Sequence, residues 1–327
     1  MQFSDMLRIL KGQDSNRIKG FLKVALVAIV VVFLWENLTE KEGIQGLTRM
    51  SHELLWILPL VLILTVLNWS LEGAKWSVLS RPIGFINFWD SFRGVISGLT
   101  LSLIVPAGVG ECLGRLGYME SRKKLEAAAL VYLGGVIQFL ITVIFGMFGV
   151  YHLVRRGVSL DMIEFSGIIL CVATLMGVSV YLLVKHKKLF HPGLVRVVSR
   201  ICQSLSIIKV KDLSLFVLFS ILRYLVFAFQ LYILFKALGI ELASEIVIAG
   251  ITWIFLSKTI LPAINFLSDL GVRELSAIFF FGFYGVEPQL VIMPTLILWI
   301  TNILFPSLLG LYFTIKSRIL SFQPQGS

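Results

Sequence analysis

The chain is poor in charged residues and lacks the patterns by which enzymes commonly hold a metal ion or activate a nucleophile. Charged residues make up only 15% of the 327, and the 19 acidic residues are dispersed, without a DxD or DDxxD cluster that could hold Mg²⁺. The three cysteines and four histidines show no CxxC or Cys/His spacing. We therefore expect no catalytic residues, no metal site and no cofactor, and we expect that the protein is not an enzyme.

What the chain has in excess is apolar sequence. Hydrophobic residues are 57% of the total and the mean hydropathy is +0.90, as is typical of polytopic membrane proteins and not of soluble domains. The net charge of +10 comes from short basic clusters beside the apolar runs, the pattern of topology determinants and of contacts with anionic lipid head groups. We therefore expect membrane lipid as a partner and exclude nucleic acid.

Long apolar runs define the predicted spans. Crossing about 30 Å of hydrocarbon takes about 20 mostly apolar residues. Six runs are long enough: 21–38, 53–72, 125–152, 163–184, 213–238 and 289–315. Two others, 94–105 and 246–261, are shorter, and at about 1.5 Å per residue the first covers only about 18 Å before Pro106 stops it. We expect both short runs to reach the midplane and turn back.

The basic clusters indicate the orientation, because Lys and Arg near span ends stay on the cytoplasmic side. If 94–105 and 111–121 form a re-entrant hairpin from the cytoplasm, all but one basic cluster lies on that side. The second hairpin, formed by 246–261 and 272–286, then enters from the opposite face. The predicted fold class is an all-α polytopic membrane protein with six full spans and two opposed re-entrant helical hairpins in a 3+3 inverted repeat, with both termini cytoplasmic. The alternative is eight full spans.

This topology divides the chain into segments. They are a basic cytoplasmic N-terminal segment (1–20), a first membrane repeat (21–152) with its hairpin at about 94–121, an outer loop and the first span of the second repeat (153–184), a cytoplasmic amphipathic connector (185–212), the rest of the second repeat (213–318) with its hairpin at about 246–286, and a C-terminal tail (319–327). Non-helical backbone at membrane depth must be buried in protein or line a water-filled cavity, so the hairpin tips are expected to meet near the midplane.

The first hairpin carries charge where a membrane protein is usually most apolar. Glu111 and Arg115 are four residues apart, so they share one helix face and can pair. Ionisable residues inside a membrane indicate function by default, although a structural ion pair that fixes the hairpin is equally compatible with the pattern. Pro106 ends the descending run, and Gly108 and Gly110 allow close backbone approach. The N–H groups at the start of the returning helix suit a phosphate or carboxylate.

The second hairpin repeats this arrangement, with a helix start beside charges of both signs. The residues concerned are Lys258, Asp269, Gly271, Arg273 and Glu274. Together with the residues of the first hairpin they are our candidates for substrate binding or gating. The two sets are not interchangeable, and drift after a duplication explains their differences as well as separate roles do.

Asn68, Glu72, Gln138, Arg223, Gln230 and Asn302 are polar residues in the long apolar runs, and three of them are candidates for the lining of a cavity. Gln138 and Asn302 fall in equivalent spans of the two halves, so they could face one cavity. Interhelical hydrogen bonds without function are the commoner use of such amides. Arg223 lies deep in its span and therefore needs an acidic or phosphate partner.

The two hairpin motifs carry a resemblance to a known family. The segments PAGVGECLGR (106–115) and DLGVRELSA (269–277), and most of the chain around them (about 20–318), resemble the membrane family named after the transmembrane region of lysylphosphatidylglycerol synthases, also called flippase-like domain proteins. Members fused to an aminoacyl-lipid synthase are held to move the modified phospholipid between leaflets, and others accompany glycosyltransferase or polyprenyl-lipid pathways. The resemblance implies lipid translocation by a multi-pass protein of a bacterial or archaeal cell (inner) membrane, with the charged residues of the two motifs as candidates.

On these grounds we expect a lipid flippase or transporter, which moves a phospholipid or lipid-linked anionic head group through a midplane site between the two hairpins. The alternatives are an accessory membrane subunit of a lipid-modifying or glycosyltransferase system, a membrane-embedded lipid transferase, and a carrier of small solutes. Because the chain ends at Ser327 without a soluble catalytic domain, a separate lipid synthase or glycosyltransferase is a possible partner. The sequence does not indicate an oligomeric state.

Overall fold

The computed structural model describes residues 41–104, 107–119, 124–158, 208–260 and 268–316, and this part of the chain is helical and contains no strand. Its helices, in chain order, are α1 (Lys41–Leu79), α2 (Phe88–Ile104), α3 (Ala107–Gly117), α4 (Lys124–Arg155), α5 (Val210–Ala237), α6 (Ser244–Ile260), α7 (Ser268–Gly282), α8 (Pro288–Trp299) and α9 (Phe305–Lys316). A π-helical segment (Ile300–Leu304) joins α8 to α9. The predicted all-α class is confirmed.

Stretches long and apolar enough to cross a membrane occur at Leu54–Leu79, Glu126–Arg155, Val210–Ala237 and Pro288–Lys316 in the described residues. Each corresponds to one of the predicted spans, namely those at 53–72, 125–152, 213–238 and 289–315. The other two predicted spans, 21–38 and 163–184, lie outside the described residues, as do most of the connector and both terminal segments. The fold is that of a multi-pass membrane protein.

Between the first two of these spans, α2 and α3 form the predicted first hairpin. The helices run antiparallel and touch along glycines: a side chain at Gly110 would collide with the backbone of Ser102, and one at Gly114 with the backbone of Gly98. Helices of 17 and 11 residues are about 25 and 16 Å long, shorter than the hydrocarbon layer. The glycines therefore let two half-length helices pack at backbone distance.

Both helices of this hairpin begin earlier than the apolar pattern predicted. α2 starts directly after Asn87, not at 94, because Asn87 caps it: the side-chain oxygen accepts a hydrogen bond from the Asp90 N–H at 2.8 Å. α3 starts at Ala107, not at 111, so Gly108 and Gly110 lie in its first turn. The close contact with α2 offsets the cost of about 1 kcal/mol that a glycine brings to a helix.

The second predicted hairpin is formed by α6 and α7, which pack against each other. Gly250 on α6 faces the rings of Phe280 and Phe281 on α7, and both rings are fully buried. α6 has 17 residues and α7 has 15, so both are again shorter than a full span. The described residues thus show the order span, hairpin, span twice.

The two halves exchange contacts reciprocally. α2, from the first hairpin, packs on α9, where a side chain at Gly310 would collide with Ile96 and Thr100. α6, from the second hairpin, packs on α4, where a side chain at Gly146 would collide with Leu256. Each hairpin therefore packs on the last span of the other half. The 3+3 inverted repeat, the opposite directions of the hairpins in the membrane and the cytoplasmic termini stay predictions.

Two large apolar clusters hold the helices together. One joins α1, α2, α4 and α5 around Trp76 and Phe216, and the other joins α5, α6, α7 and α8 around Phe235 and Phe281, with further residues from α1 and α4. Burial of such side chains from water contributes roughly 25 cal/mol per Å² in soluble domains, whereas helices in lipid associate through van der Waals packing, interhelical hydrogen bonds and lipid entropy.

Candidate functional site

A buried carboxylate on α1 is the centre of an ion-pair cluster. Glu72 is 6% exposed, and its Oε1 accepts a hydrogen bond from Arg115 Nη2 of α3 at 2.8 Å. Its Oε2 lies 2.9 Å from Lys75 Nζ of the same helix and 3.1 Å from Arg223 Nη1 of α5. A charge in a low-dielectric interior is tolerated when it is paired in this way. Three cations thus share one carboxylate.

Two tryptophans on α1 support the same arginines. Trp69 and Trp76 lie three residues before and four residues after Glu72, so all three side chains share one helix face. The Arg223 guanidinium carbon is 5.3 Å from the Trp69 ring centre, and that of Arg115 is 5.4 Å from the Trp76 ring centre. A cation–π contact of this kind contributes about 0.5–2 kcal/mol. One face of α1 therefore fixes both arginines by a carboxylate and a ring.

The pair that the sequence predicted within α3 is present but secondary. Arg115 Nη2 lies 3.7 Å from Glu111 Oε2, farther than from Glu72. The Glu111 side chain keeps 47% of its surface exposed, whereas that of Glu72 keeps 8%. An exposed ion pair contributes little, so the principal partner of Arg115 is Glu72. The i,i+4 spacing identified a local neighbour and could not identify a partner on another helix.

Beside this cluster lies a cavity of about 350 Å³ that brings six of the predicted residues together. They come from α3, α4, α5, α6 and the π-helical segment, and they are Glu111, Arg115, Gln138, Arg223, Lys258 and Asn302. Glu72 and its neighbours on α1 form another wall. The acidic partner that Arg223 needs in its span is therefore Glu72, and the two amides face the same space.

The two amides also connect helices. Lys75 Nζ donates a hydrogen bond to Gln138 Oε1 at 3.0 Å, and Asn68 Nδ2 donates one to Asn302 Oδ1 at 3.1 Å. Trp69 Nε1 donates to the backbone carbonyl of Asn302 at 2.8 Å. That carbonyl belongs to the π-helical segment, and such segments occur often at functional sites. Gln138 and Asn302 therefore line the cavity and also hold α1 in place.

The second hairpin takes a smaller part in the cavity than the first. Its contribution among the predicted residues is Lys258 of α6, whereas Arg273 and Glu274 of α7 are buried outside the lining, at 0% and 2% exposure. The Arg273 guanidinium carbon lies 5.6 Å from the ring centre of Phe227, which does line the cavity. Arg273 is thus placed directly behind the wall.

The other candidate residues either lie outside the described residues or do not line the cavity. Pro106 and the side chain of Asp269 lie outside the described residues. Gly110 is a packing residue against α2, Gly108 is exposed, and Gly271 is partly buried at the start of α7. The structure therefore gives the three glycines no contact with the cavity.

The sequence identified Glu72, the residue at the centre of the cluster, as a polar residue of an apolar run but did not select it as a candidate for the site. Glu72 follows a long apolar run and precedes Lys75 by three residues, which makes it look like the polar end of a span. The available signal was the spacing W-x-x-E-x-x-x-W from Trp69 to Trp76, which places a carboxylate between two rings on one helix face. An acidic residue within an apolar span needs a cation, and Arg115 and Arg223 supply it.

Among the described residues, no three His, Cys, Asp or Glu side chains come together in a way that could hold a metal ion. The fold and the site define a polytopic helical membrane protein with a charged cavity between its helical hairpins and spans. The chain belongs to the family described as the lysylphosphatidylglycerol synthase TM region, whose model matches residues 20–310. The predicted family is therefore confirmed, and it ties the protein to lipid handling. No curated protein and no solved structure is significantly similar to the chain.

Proposed function

We propose that the protein is a lipid flippase or transporter, which moves a phospholipid or a lipid-linked anionic head group between the leaflets of a bacterial or archaeal cell membrane. The observation that carries the proposal is the ion-pair cluster, in which Lys75, Arg115 and Arg223 share Glu72 at the wall of a cavity. Charges this costly inside a membrane are retained where they contact a substrate or an ion. Family membership supports lipid as the substrate class.

The size of the cavity supports a mode of binding in which the protein holds only part of the lipid and the rest stays in the bilayer. A volume of about 350 Å³ is at the lower end of the range of roughly 300–1,000 Å³ for small-molecule sites. A head group fits such a volume, whereas a whole phospholipid with two acyl chains does not. We infer that the head group is held in the cavity and that the acyl chains stay in the hydrocarbon.

The chemistry of the wall suits a phosphate. Arg115 and Arg223 present planar guanidinium groups, which bind phosphate oxygens through two parallel hydrogen bonds, and Lys258 adds an ammonium group on α6. The cluster already contains one oxyanion, Glu72, held by the same donors that a phosphate would use. A phosphate that enters the cavity could therefore share these donors with Glu72.

The reciprocal packing of the hairpins supports alternating access as the mode of movement. If the halves are inverted as predicted, tilting one half moves its own last span together with the hairpin of the other half. The cavity, which draws residues from both halves, would then open to one leaflet at a time. In this scheme the protein moves the lipid without making or breaking a covalent bond, and no energy source is assigned to the movement.

The proposal is tested with the purified protein in liposomes that contain a fluorescently labelled phospholipid. Reduction of the outer-leaflet label by dithionite measures how fast lipid exchanges between leaflets. We expect exchange above that of protein-free liposomes, and we expect Arg115→Ala and Arg223→Ala to lower the rate at least tenfold. Arg81→Ala is the matched control, because Arg81 pairs with Asp212 at 2.6 Å outside the cavity.

The outcomes separate the candidate functions. Absence of exchange with every lipid tested, in a protein that elutes as a folded species, contradicts transport and favours an accessory subunit of a lipid-modifying or glycosyltransferase system. If Arg115→Ala and Arg223→Ala exchange lipid as fast as the control Arg81→Ala, the result supports transport but contradicts the cavity as its route. Release of a covalently altered lipid would show a transferase.

A further inference from the structure

We propose that the π-helical segment Ile300–Leu304 is a hinge about which α9 and the first hairpin move as one unit against α1 and α5, and that Trp69 holds this hinge in the position seen here. The inference rests on the proposed function, since movement of this unit would open the cavity. The segment lies in the cavity wall, to which Asn302 and Ile303 contribute.

The last span changes its neighbours where the π-helical segment lies. Before the segment, α8 packs mainly on α7 and α5, and its Val291 and Leu298 belong to the apolar cluster around Phe235 and Phe281. After the segment, α9 packs mainly on α2, and its Phe313 packs on the other apolar cluster. The two parts of this one span therefore belong to different clusters, and the π-helical segment joins them.

A proline explains why the span can bend at this point. Pro306 has no backbone N–H, so the carbonyl of Asn302, four residues earlier, lacks the donor that an α-helix would supply. Trp69 Nε1 of α1 donates to this carbonyl instead at 2.8 Å, and Asn68 Nδ2 donates to the Asn302 side chain at 3.1 Å. Sharp bends in helices occur at prolines and at π-helical segments. Two neighbouring side chains of α1 thus hold the segment in position.

α9 is joined to both helices of the first hairpin. On α2, Thr100 Oγ1 donates a hydrogen bond to the backbone carbonyl of Ser307 at 2.7 Å, and Gly310 lets α9 and α2 touch at backbone distance. Directly after α3, the Tyr118 hydroxyl donates to the backbone carbonyl of Phe313 at 2.6 Å. Close packing and interhelical hydrogen bonds are what hold helices together in lipid. These contacts make α2, α3 and α9 one unit.

The unit meets α1 across an interface that includes the ion-pair cluster. Ser91 of α2 donates a hydrogen bond to the backbone carbonyl of Gly73 at 2.6 Å, and Arg115 of α3 pairs with Glu72 at 2.8 Å. Arg223 also pairs with Glu72, but it joins α5 to α1 and so does not cross this interface. A phosphate that shares Arg115 with Glu72 therefore weakens one of the links that keep the unit in place, and this couples the ligand to the hinge.

The corresponding span of the first half has no such interruption. α4 is one continuous α-helix from Lys124 to Arg155, and its sequence contains no proline. The second hairpin, which packs on α4, therefore lacks a hinge of this kind. In the alternating access proposed above, the part of the last span that moves with the first hairpin is then α9 alone.

Spin-label distances test the hinge in the full chain, in lipid nanodiscs and in a background without native cysteines. Lys316→Cys at the exposed end of α9 is paired with Val210→Cys on α5 to report movement of the unit, and with Trp89→Cys on α2 to report its rigidity. Because α9 is about 18 Å long, a bend of about 20° at its start moves its end by about 6 Å. We expect Trp69→Phe, which removes the Nε1 donor but keeps a ring for Arg223, to add a population displaced by this amount in the first pair and none in the second.

Two prolines of the last span form a matched pair of variants. Pro306→Ala restores the N–H that the Asn302 carbonyl lacks, so we expect it to narrow the distance distribution between Lys316→Cys and Val210→Cys. Pro294→Ala also removes a proline from this span, but it lies within α8, and it should leave that distribution unchanged. Equal narrowing in the two variants would show that the flexibility is not localised at the π-helical segment, and this would overturn the hinge.

Two further results would overturn the inference. One is a distance between α9 and α5 that stays as in the wild type in both Trp69→Phe and Pro306→Ala. The other is a distance between α9 and α2 that shifts as much as the distance between α9 and α5, because α9 would then move without the hairpin.

The link to the ligand is tested with dihexanoyl phosphatidylglycerol as a soluble phosphate-bearing probe. We expect it to increase the displaced population in the wild type and to have no further effect in Arg115→Ala, which already lacks the link to Glu72. An equal response in the two proteins would overturn the coupling through Arg115.

The hinge and the proposed transport can fail separately. If the distances change as expected but no lipid exchanges between leaflets, the hinge stands and the proposed transport fails. If Pro306→Ala narrows the distribution and still exchanges lipid as fast as the wild type, the transport stands and the role of the hinge in it fails.

Discussion

The Glu72 carboxylate on α1 lies 3.1 Å from the Arg223 guanidinium on α5, and this ion pair joins the two spans that occupy equivalent places in the two halves. Arg115 of the first hairpin contacts the other oxygen of the same carboxylate at 2.8 Å. Removal of a single carboxyl group therefore affects both halves and the hairpin at once. The first two predictions follow from this arrangement.

The variant Glu72→Gln is expected to destabilise the fold strongly. It leaves three cations without their shared counter-charge, and loss of one partner of a buried ion pair costs about 3–5 kcal/mol. Thermal unfolding of the purified protein measures the effect. Asp90→Asn is the control, because Asp90 pairs with Arg93 on the surface, with 35% and 46% of the two side chains exposed. That pair should contribute less than about 1 kcal/mol. Equal losses in the two variants would contradict a buried cluster.

The two acidic partners of Arg115 are expected to differ in coupling energy. A double-mutant cycle of Glu72→Gln with Arg115→Gln should give about 1–3 kcal/mol, the range for residues in one ion-pair network. The cycle of Glu111→Gln with Arg115→Gln should give less than about 1 kcal/mol, because Glu111 is half exposed. Both cycles are measured by thermal or chemical unfolding. A larger value for Glu111 would mean that the local i,i+4 pair is the principal one.

Two glycines of α3 form a matched pair of variants. Gly114→Ala is expected to cost about 1–3 kcal/mol, because its methyl group would collide with the backbone of Gly98 on α2. Gly108→Ala places a methyl group where no atom lies within 4 Å, so it should be neutral or stabilise by up to about 1 kcal/mol through helix propensity. The two losses of stability are compared through the unfolding midpoints of both variants. Similar losses at the two sites would refute the close packing of this hairpin.

The direction in which the first hairpin enters is tested by cysteine labelling. In a background without native cysteines, Arg81→Cys and Arg122→Cys are exposed to a membrane-impermeant thiol reagent on intact cells. The re-entrant topology predicts that both positions are cytoplasmic and stay unlabelled until the membrane is opened. Labelling of Arg122→Cys from outside, with Arg81→Cys protected, would establish a full crossing by α2.

The structural features that depend on short stretches of chain could be predicted from the sequence. The long apolar runs predicted the spans at 125–152 and 213–238 to within a few residues, because a span must match the thickness of the hydrocarbon layer. The brevity of two runs predicted the hairpins for the same reason. The start of α2 was missed because its cap, Asn87, is polar and the pattern followed apolar residues alone.

The candidate site was only partly predictable. Arg223 and Arg115 could be recognised, since a cation within an apolar segment always requires a partner. The identity of that partner depends on how α1, α3 and α5 pack, and no local spacing in the chain encodes that packing. Arg273 shows the opposite case: its motif resembles that of Arg115, but α7 turns it behind Phe227 instead of into the cavity.

The reciprocal packing of α2 on α9 and of α6 on α4 has a consequence for how the chain assembles. A half synthesised alone would leave its last span without the helix that covers Gly310 or Gly146, and its hairpin would keep only the contacts with its own half. The first half to leave the ribosome must therefore wait, incompletely covered, until the second is inserted, and two halves produced as separate chains should recover the fold only when they are made together.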